Sequence, residues 1–290
     1  MIQVGHLAPM GCWDVTMLMQ LLDNELYDTG HTFKHVEGYP NTDDGCLVVI
    51  PGRYWFEKYD EISEALARYP WVLAFRTGDE EDLFDLTNIA HPNIRWWVQT
   101  PRMGINTRYG TARRFGVGWT PAFNNIEFGG KDLDVFLSCQ NTHKRRNQAF
   151  VALDQVRCEK VVQATKGFTQ GFPPDEYAAF MARAKIAPCP SGVVSPDSFR
   201  VFEALQAHAI PLADDVSPRP DYYASGFWHS LFPGGAPFPL ITTYELLPGY
   251  VADQLALWPA NSNRITAWFM RYKRELSQWL RDDLKNLGAL

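Results

Sequence analysis

The sequence is poor in the features that would mark a secreted, membrane or polyanion-binding protein. Its cysteines, Cys12, Cys46, Cys139, Cys158 and Cys189, form no CxxC pair and total an odd five. That argues against a disulfide scaffold and for a reducing compartment. No stretch approaches the ~18 uninterrupted apolar residues of a membrane-spanning helix. Met1-Ile2-Gln3-Val4-Gly5 has no basic start and leads into no long apolar run, so no secretory signal is predicted. Basic charge is scarce as well: the net charge of −6 argues against a general polyanion binder, although it leaves room for a local basic patch. Neither a GxGxxG after the first strand nor a P-loop is present, which counts against a dehydrogenase or a phosphatase. A cytoplasmic protein is expected, in the host cytoplasm if a phage encodes it.

What is present is globular. A chain of 290 residues, 46% hydrophobic and 21% charged, is long enough for two domains. Of the ten tryptophans a folded core can hold some; sugars and nucleobases also bind on aromatic faces.

Strand-like and helix-like segments alternate, which predicts α/β architecture with parallel sheets. In the first part, strands are expected at Ile2–His6, Cys46–Pro51, Trp71–Arg76 and Ile94–Gln99. Helices are expected at Asp14–Leu26, capped by Asp14, and at Tyr59–Arg68. Thr-Pro, Asn-Asn and Gly-Gly between Trp119 and Lys131 mark a linker. A second series follows, with strands at Val135–Cys139, Lys160–Ala164, Ile186–Cys189 and Ile210–Ala213. Its helices are read at Arg145–Gln155, Asp175–Ala184, Asp197–Ala207, Tyr244–Leu257 and Arg264–Leu287. The predicted domains are 1–125, 126–260 and a C-terminal helix, 261–290, that returns to the first domain. Ligands in such sheets bind at the C-terminal ends of the strands.

The segment from Ile186 to Asp215 is the most informative. A strand ends in Pro190-Ser191-Gly192, small residues that let backbone N–H groups approach a ligand. Ser195-Pro196 reads as the N-cap and first position of the next helix, whose free N–H groups suit a diphosphate. Asp197, Arg200 and Glu203 then share roughly one helix face. Arg200 is placed to meet phosphate oxygens, and Glu203, one turn further, to accept both hydroxyls of a ribose. A surface ion pair between the two is the plain structural alternative.

This run closely resembles the exostosin-like glycosyltransferase pattern, in which a Pro-rich strand end precedes Ser198-Phe199-Arg200, Glu203-Ala204-Leu205 and Ile210-Pro211. The likeness extends to Thr165-Lys166-Gly167-Phe168, to Glu176-Tyr177, and to Phe136–Arg146 with its Thr142-His143-Lys144-Arg145-Arg146 loop. It covers about residues 135–215; no exostosin motif occurs in the first 120. The resemblance implies a GT-B fold, two Rossmann-like domains facing each other across a cleft. It implies a nucleotide-sugar donor, most simply a UDP-sugar, held by Glu203, Arg200, Ser198, Ser191, Gly192, Arg145, Lys144, Thr142, Gly167 and Phe168. One departure stands out: His208 occupies the place where the family usually has Gly after the helix, and is read as a turn residue.

His6 at the first strand tip, or Asp79 or Glu80 after a later strand, could deprotonate an acceptor hydroxyl, against the plainer readings of a structural histidine and a helix-capping acidic turn. Asp132-Leu133-Asp134 mimics a metal-binding DxD, but no other ligand residues support it, so no metal is expected and Arg, Lys and helix dipoles would stabilise the leaving diphosphate. From Arg95 to Arg114 there are five arginines and three aromatics with no acidic residue. That is a nucleic-acid pattern, or else a buried Trp pair followed by a solvated basic loop. Trp13, Arg102 and Arg108 are the acceptor-contact candidates. The expected function is sugar transfer to an acceptor hydroxyl by a monomeric enzyme. The acceptor is either a 5-hydroxymethylpyrimidine in DNA, as for a phage-type enzyme, or a glycan or cell-envelope sugar. A non-catalytic sugar-nucleotide or glycan-binding module is the rival.

Overall fold

A computed structural model describes residues 1–7, 12–23, 32–52, 58–78, 89–100, 112–167, 170–220, 226–232 and 234–290, and the backbone alone of residues 24 and 25. The chain divides into two compact units, one formed by Met1–Val117 with Tyr272–Leu290 and the other by Gly118–Arg271. These divisions fall after residues 117 and 271, where the sequence reading has 125 and 260, and the Gly- and Pro-marked stretch after Trp119 lies inside the second unit.

The first unit is built on a sheet of β1 (Ile2–His6), β2 (Phe33–Glu37), β3 (Cys46–Pro51), β4 (Val72–Thr77), β5 (Ile94–Gln99) and β6 (Arg113–Phe115). All pairings are parallel, in the order β2-β1-β3-β4-β5-β6. β3 and β4 are buried at every position, as expected of parallel strands covered on both faces. One face carries Cys46, Val48, Ile50, Val72 and Ala74 against Ile62 and Leu66 of α2 (Tyr59–Leu66). Asp283, on the C-terminal helix, is buried and accepts the Trp97 indole N–H at 2.9 Å and Arg113 Nε at 3.4 Å.

Two strands of this sheet escape the sequence reading. β2 lies at the sheet edge, half-buried to exposed, and β6 is three residues long, so neither shows a run of apolar residues. The expected helix from Asp14 is also shorter. A 3-10 turn at Trp13–Val15 leads into α1 (Thr16–Gln20) and a π-turn at Leu21–Glu25, with Cys12 rather than Asp14 in the cap position.

The second unit repeats the topology. Its strands are β7 (Leu133–Gln140), β8 (Lys160–Thr165), β9 (Ala184–Cys189), β10 (Ile210–Asp214) and β11 (Leu240–Ile241), in the order β11-β10-β9-β7-β8, all parallel. The crossovers are α3 (Lys144–Asp154), α4 (Pro174–Arg183) and α5 (Phe199–Gln206); α6 (Phe227–Leu231) and α7 (Leu247–Ala256) follow. The last helix, α8 (Ala260–Asn286), contributes residues to both units.

α5 starts at Phe199, two residues later than expected, and its N-cap is Ser198 rather than Ser195. The Ser195 hydroxyl instead accepts the Asp197 N–H at 3.0 Å, closing a local turn before the helix begins. The other end explains His208. Ala209 N–H bonds Ala204 O at 2.8 Å and His208 N–H bonds Leu205 O at 3.2 Å, the two bonds of a Schellman cap. That geometry puts His208 at φ +57, where glycine is the easy choice. The ring stacks on Phe128 at 4.3 Å. Left-handed strain of about 1 kcal/mol and a ring contact of similar size oppose each other here. His208→Gly should therefore change unfolding free energy by less than about 0.5 kcal/mol, whereas His208→Ala, which keeps the strain and loses the ring, should cost about 1 kcal/mol. Urea unfolding of both variants checks this.

Candidate functional site

In each unit the strand order reverses direction at one place, between β1 and β3 in the first and between β7 and β9 in the second. In open parallel sheets a reversal of this kind is where ligands bind, outside the C-terminal ends of the strands.

In the second unit the residues singled out in the sequence come from the loops at this reversal. β7 runs into Asn141-Thr142-His143 and α3, and β9 runs into Pro190-Ser191-Gly192. Arg146 ties the two tips together, its guanidinium donating to Ser191 O at 3.1 Å and to Gln140 O at 3.2 Å. His143 Nε2 lies 3.4 Å from Ser191 O. Thr142 and Lys144 are exposed, Gly192 is buried, and Gly167 is half-buried beyond the tip of β8.

Two features of this edge point to an anionic ligand. Both α3 and α5 begin here, and neither has a side-chain cap or an acidic residue in its first turn. Helix N-termini of this kind present backbone N–H groups and positive dipole. Beside them, Ser191 Oγ, Ser198 Oγ, His143 Nδ1 and Arg200 Nε are buried and have no hydrogen-bond partner among the described residues. Buried polar atoms are normally satisfied, so four such atoms, three on adjacent loops and one in the first turn of α5, fit groups that a bound phosphate or sugar would complete.

Arg200, half-buried, donates through Nη2 to Ser138 O on β7 at 3.2 Å. Burial works against its charge, but Tyr177, the nearby cysteines and Glu203 outweigh that and hold its pKa above the ordinary value. Glu203 is placed differently from the sequence expectation of an open helix face. It is buried, with one oxygen accepting from Thr120 Oγ1 at 2.8 Å and the other from Tyr177 Oη at 3.1 Å. Burial raises its pKa, only partly opposed by the Arg200 charge and these hydrogen bonds.

Arg145 is likewise engaged. It grips Asp214, at the end of β10, through Nε at 2.8 Å and Nη2 at 2.6 Å. Burial opposes its charge, while the Asp214 hydrogen bond and charge carry its pKa above the ordinary value. Asp214 is fully buried and also accepts from Tyr244 Oη at 3.0 Å, Val216 N at 3.1 Å and Ser191 N at 3.4 Å. Sequence reasoning passed over Asp214 and Arg146; the only available signal was three consecutive cations at 144–146, more than one ligand contact needs.

The DxD-like pair sits at the other end of β7. Asp132 is gripped by Arg183 at 2.9 Å, and Asp134 by Lys185 at 2.6 Å. Each carboxylate thus has a cation of its own.

Two parallel α/β units with the same strand order, each reversing at its first and third strands, are the double Rossmann-like pattern. The chain has the GT-B glycosyltransferase fold. Among solved structures it is similar to the DNA-modifying enzyme β-glucosyltransferase, determined in the presence and absence of its substrate uridine diphosphoglucose. The match spans 98% of this chain and 99% of that one, with a TM-score of 0.53 and 12% sequence identity. No protein-family model matches the chain, and no curated protein matches it.

In the first unit of this GT-B fold, His6 ends β1 at the reversal and is buried. Trp13 is half-buried in the 3-10 turn beyond it. Gln99, at the tip of β5, donates to Asp14 O at 2.6 Å and Val117 O at 3.3 Å and accepts Gly78 N–H at 3.0 Å, so one buried amide links three segments. Of the Arg-rich stretch, Trp96 and Trp97 are core and Arg113 is held by Asp283, with its guanidinium 5.2 Å from the Trp279 ring. Asp79, Glu80, Arg102, Arg108 and Phe168 lie outside the described residues. Among the described residues no helix is long and apolar enough to cross a membrane.

Proposed function

We propose that the chain is a glycosyltransferase that takes a sugar from a nucleoside-diphosphate sugar, most simply a UDP-sugar, and moves it to an acceptor hydroxyl. The observation that carries this reading is the coincidence, at the β7/β9 reversal, of two uncapped helix N-termini with four unpartnered buried polar atoms. The diphosphate would lie over Ser191-Gly192 and the start of α5, within reach of Ser198 Oγ, Arg200 Nε and Lys144. Charge developing on the leaving diphosphate would be offset by these groups, which is the term that most lowers such barriers. Glu203, Thr142, Gly167 and Phe168 complete the proposed donor set, and Arg145 joins it through the Ser191 loop that its partner Asp214 contacts. The base is proposed from His6, Asp79 and Glu80.

For the acceptor, a hydroxymethylated pyrimidine in DNA is favoured. The Arg- and aromatic-rich stretch at 95–114, with Trp13, Arg102 and Arg108, supports it, as does the DNA-modifying activity named for the structural neighbour. The exostosin-like run at 135–215 supports a glycan acceptor as the second reading.

Thermal unfolding against UDP, UDP-glucose and other nucleotides tests the donor site. A ligand at 100 times its Kd should stabilise by roughly 2.7 kcal/mol. The shift should appear with one nucleotide family and shrink in Ser191→Ala and Ser198→Ala. A folded protein that no nucleotide stabilises would overturn the donor reading in favour of a glycan-binding module. Transfer of labelled glucose from UDP-glucose to 5-hydroxymethylcytosine DNA, with unmodified DNA as control, separates the acceptors.

A further inference from the structure

The first unit holds three titratable side chains in a row that the donor site does not use. His6 Nε2 lies 3.0 Å from His35 Nδ1, and His35 Nε2 lies 3.1 Å from Asp23 Oδ1. They come from separate elements: His6 from the tip of β1, His35 from β2, and Asp23 from the π-turn after α1. His35 pairs in register with Val4, two residues before His6, so both rings project from the same face of the sheet. His6 is buried, while the His35 and Asp23 side chains are 23% and 53% exposed. The row therefore runs from a buried imidazole at the reversal of the sheet out to a solvated carboxylate.

With Asp23 ionised and His35 neutral, the hydrogen bonds assign the ring protons. An ionised carboxylate only accepts, so His35 Nε2 carries a hydrogen. With His35 neutral, its Nδ1 is bare and accepts from His6 Nε2–H. That leaves the lone pair of His6 on Nδ1, which bonds to no other group among the described residues.

We propose that His6, His35 and Asp23 form a proton-accepting relay for the acceptor hydroxyl, with His6 the catalytic residue, His35 the group that stores the proton, and Asp23 a positioning residue. The proposal rests on the transferase reading for its substrate. In the forward step the acceptor O–H bond breaks and its proton forms a bond with His6 Nδ1. The His6 Nε2 proton passes to His35 Nδ1, and the acceptor oxygen attacks the anomeric carbon as the bond to the diphosphate breaks. His6 ends as neutral as it began, with its tautomer exchanged. The positive charge rests on His35, beside the Asp23 carboxylate.

This division of labour follows from burial. His6 has its pKa pushed down to about 4, first by burial and then by the charge of His35, with Asp23 acting in the opposite sense. A group so placed is unprotonated at neutral pH and ready to accept, but it is a poor place to leave a charge. Passing the proton one ring outward removes that penalty. His35 and Asp23 are the charged and titratable groups that act on His6.

The relay can be read without knowing the acceptor. Long-range proton–nitrogen NMR of the full chain, with histidine rings assigned through His6→Gln and His35→Gln, reports which ring nitrogen carries hydrogen. At pH 7.5 His6 should be the Nε2–H tautomer. On acidification His6 should stay unprotonated down to about pH 4, and Asp23→Asn should move its titration lower still, because it removes a countercharge. A His6 in the Nδ1–H form at pH 7.5, a His6 that titrates at the ordinary imidazole value, or a His6 titration unmoved by Asp23→Asn overturns the relay.

Kinetics with UDP-glucose and 5-hydroxymethylcytosine DNA then test its use. His6→Gln should lower kcat by roughly 100-fold. Asp23→Asn should lower kcat about tenfold, shift the acid limb of the pH–rate profile to lower pH, and leave KM for UDP-glucose within about twofold. If the wild type transfers sugar and both Asp23→Asn and His35→Gln keep kcat within twofold, the relay assignment fails and the transferase reading stands. If nucleotides bind nowhere, the transferase reading fails on its own evidence, and the NMR titration still decides whether the chain of protons exists.

Discussion

Asp214→Ala should be among the most damaging single substitutions in the second unit, costing about 3–5 kcal/mol in unfolding free energy. The carboxylate is fully buried and serves four donors at once: the Arg145 fork, the Tyr244 hydroxyl and the N–H groups of Val216 and Ser191. Truncation leaves the Arg145 cation without its countercharge and the Tyr244 hydroxyl without its acceptor. Arg145→Ala should cost less, because Asp214 keeps one hydroxyl and two backbone donors. A double-mutant cycle on the pair should return a coupling of at least about 1 kcal/mol, measured by urea unfolding followed by tryptophan fluorescence. Additive single effects would show that the ion pair is not a unit. Because Asp214 contacts the Ser191 N–H, even the milder Asp214→Asn should weaken nucleotide-induced stabilisation.

Glu203→Ala is expected to cost about 3 kcal/mol, from two buried hydroxyls left without an acceptor and a small cavity. Thr120 and Tyr177 both point their hydroxyls at this carboxylate, and Arg200 lies one turn earlier on α5. Glu203→Gln keeps the shape and one carbonyl oxygen, so most of that stability should return. The pH dependence gives a second readout. Burial raises the pKa of Glu203, so the folded chain keeps this proton to higher pH than the unfolded chain. Its contribution to stability is therefore greatest at low pH and declines as pH rises from the ordinary carboxylate value through the raised one. Wild type and Glu203→Gln should diverge across that window, with the glutamine variant lacking the decline. Identical pH profiles would show that Glu203 does not titrate as a buried group. If Glu203 also holds a ribose, the glutamine variant should be stable yet respond less to nucleotides than wild type.

The parts of the fold legible in the sequence were those governed by local pattern. β3 begins and ends where its apolar run does, since a strand buried on both faces has no polar residue to blur its limits. The strand–loop–helix order from 184 to 214 was equally clear. β2 and β6 were not, because an edge strand needs only half its residues buried and a three-residue strand has no period to detect. The start of α5 was misplaced because Ser195 and Ser198 are chemically equivalent caps. Only the backbone path decides which serine closes a turn with its hydroxyl and which stands at the N-cap position.

The candidate site divides the same way. Local spacing alone puts small residues, hydroxyls and cations after the strands near 140 and 190, and Glu203 one helical turn after Arg200. These are neighbours along the chain, where spacing and composition carry the information. The tertiary structure decided which of those groups are already engaged. It placed Glu203 against Thr120 and Tyr177, Arg145 against Asp214 across 69 positions, and His6 against His35 across 29. It also left Ser191 Oγ, Ser198 Oγ, His143 Nδ1 and Arg200 Nε buried without partners. Such facts depend on which distant segments a parallel sheet brings side by side. Pairing over those separations follows from packing and strand register rather than from any residue's immediate neighbours.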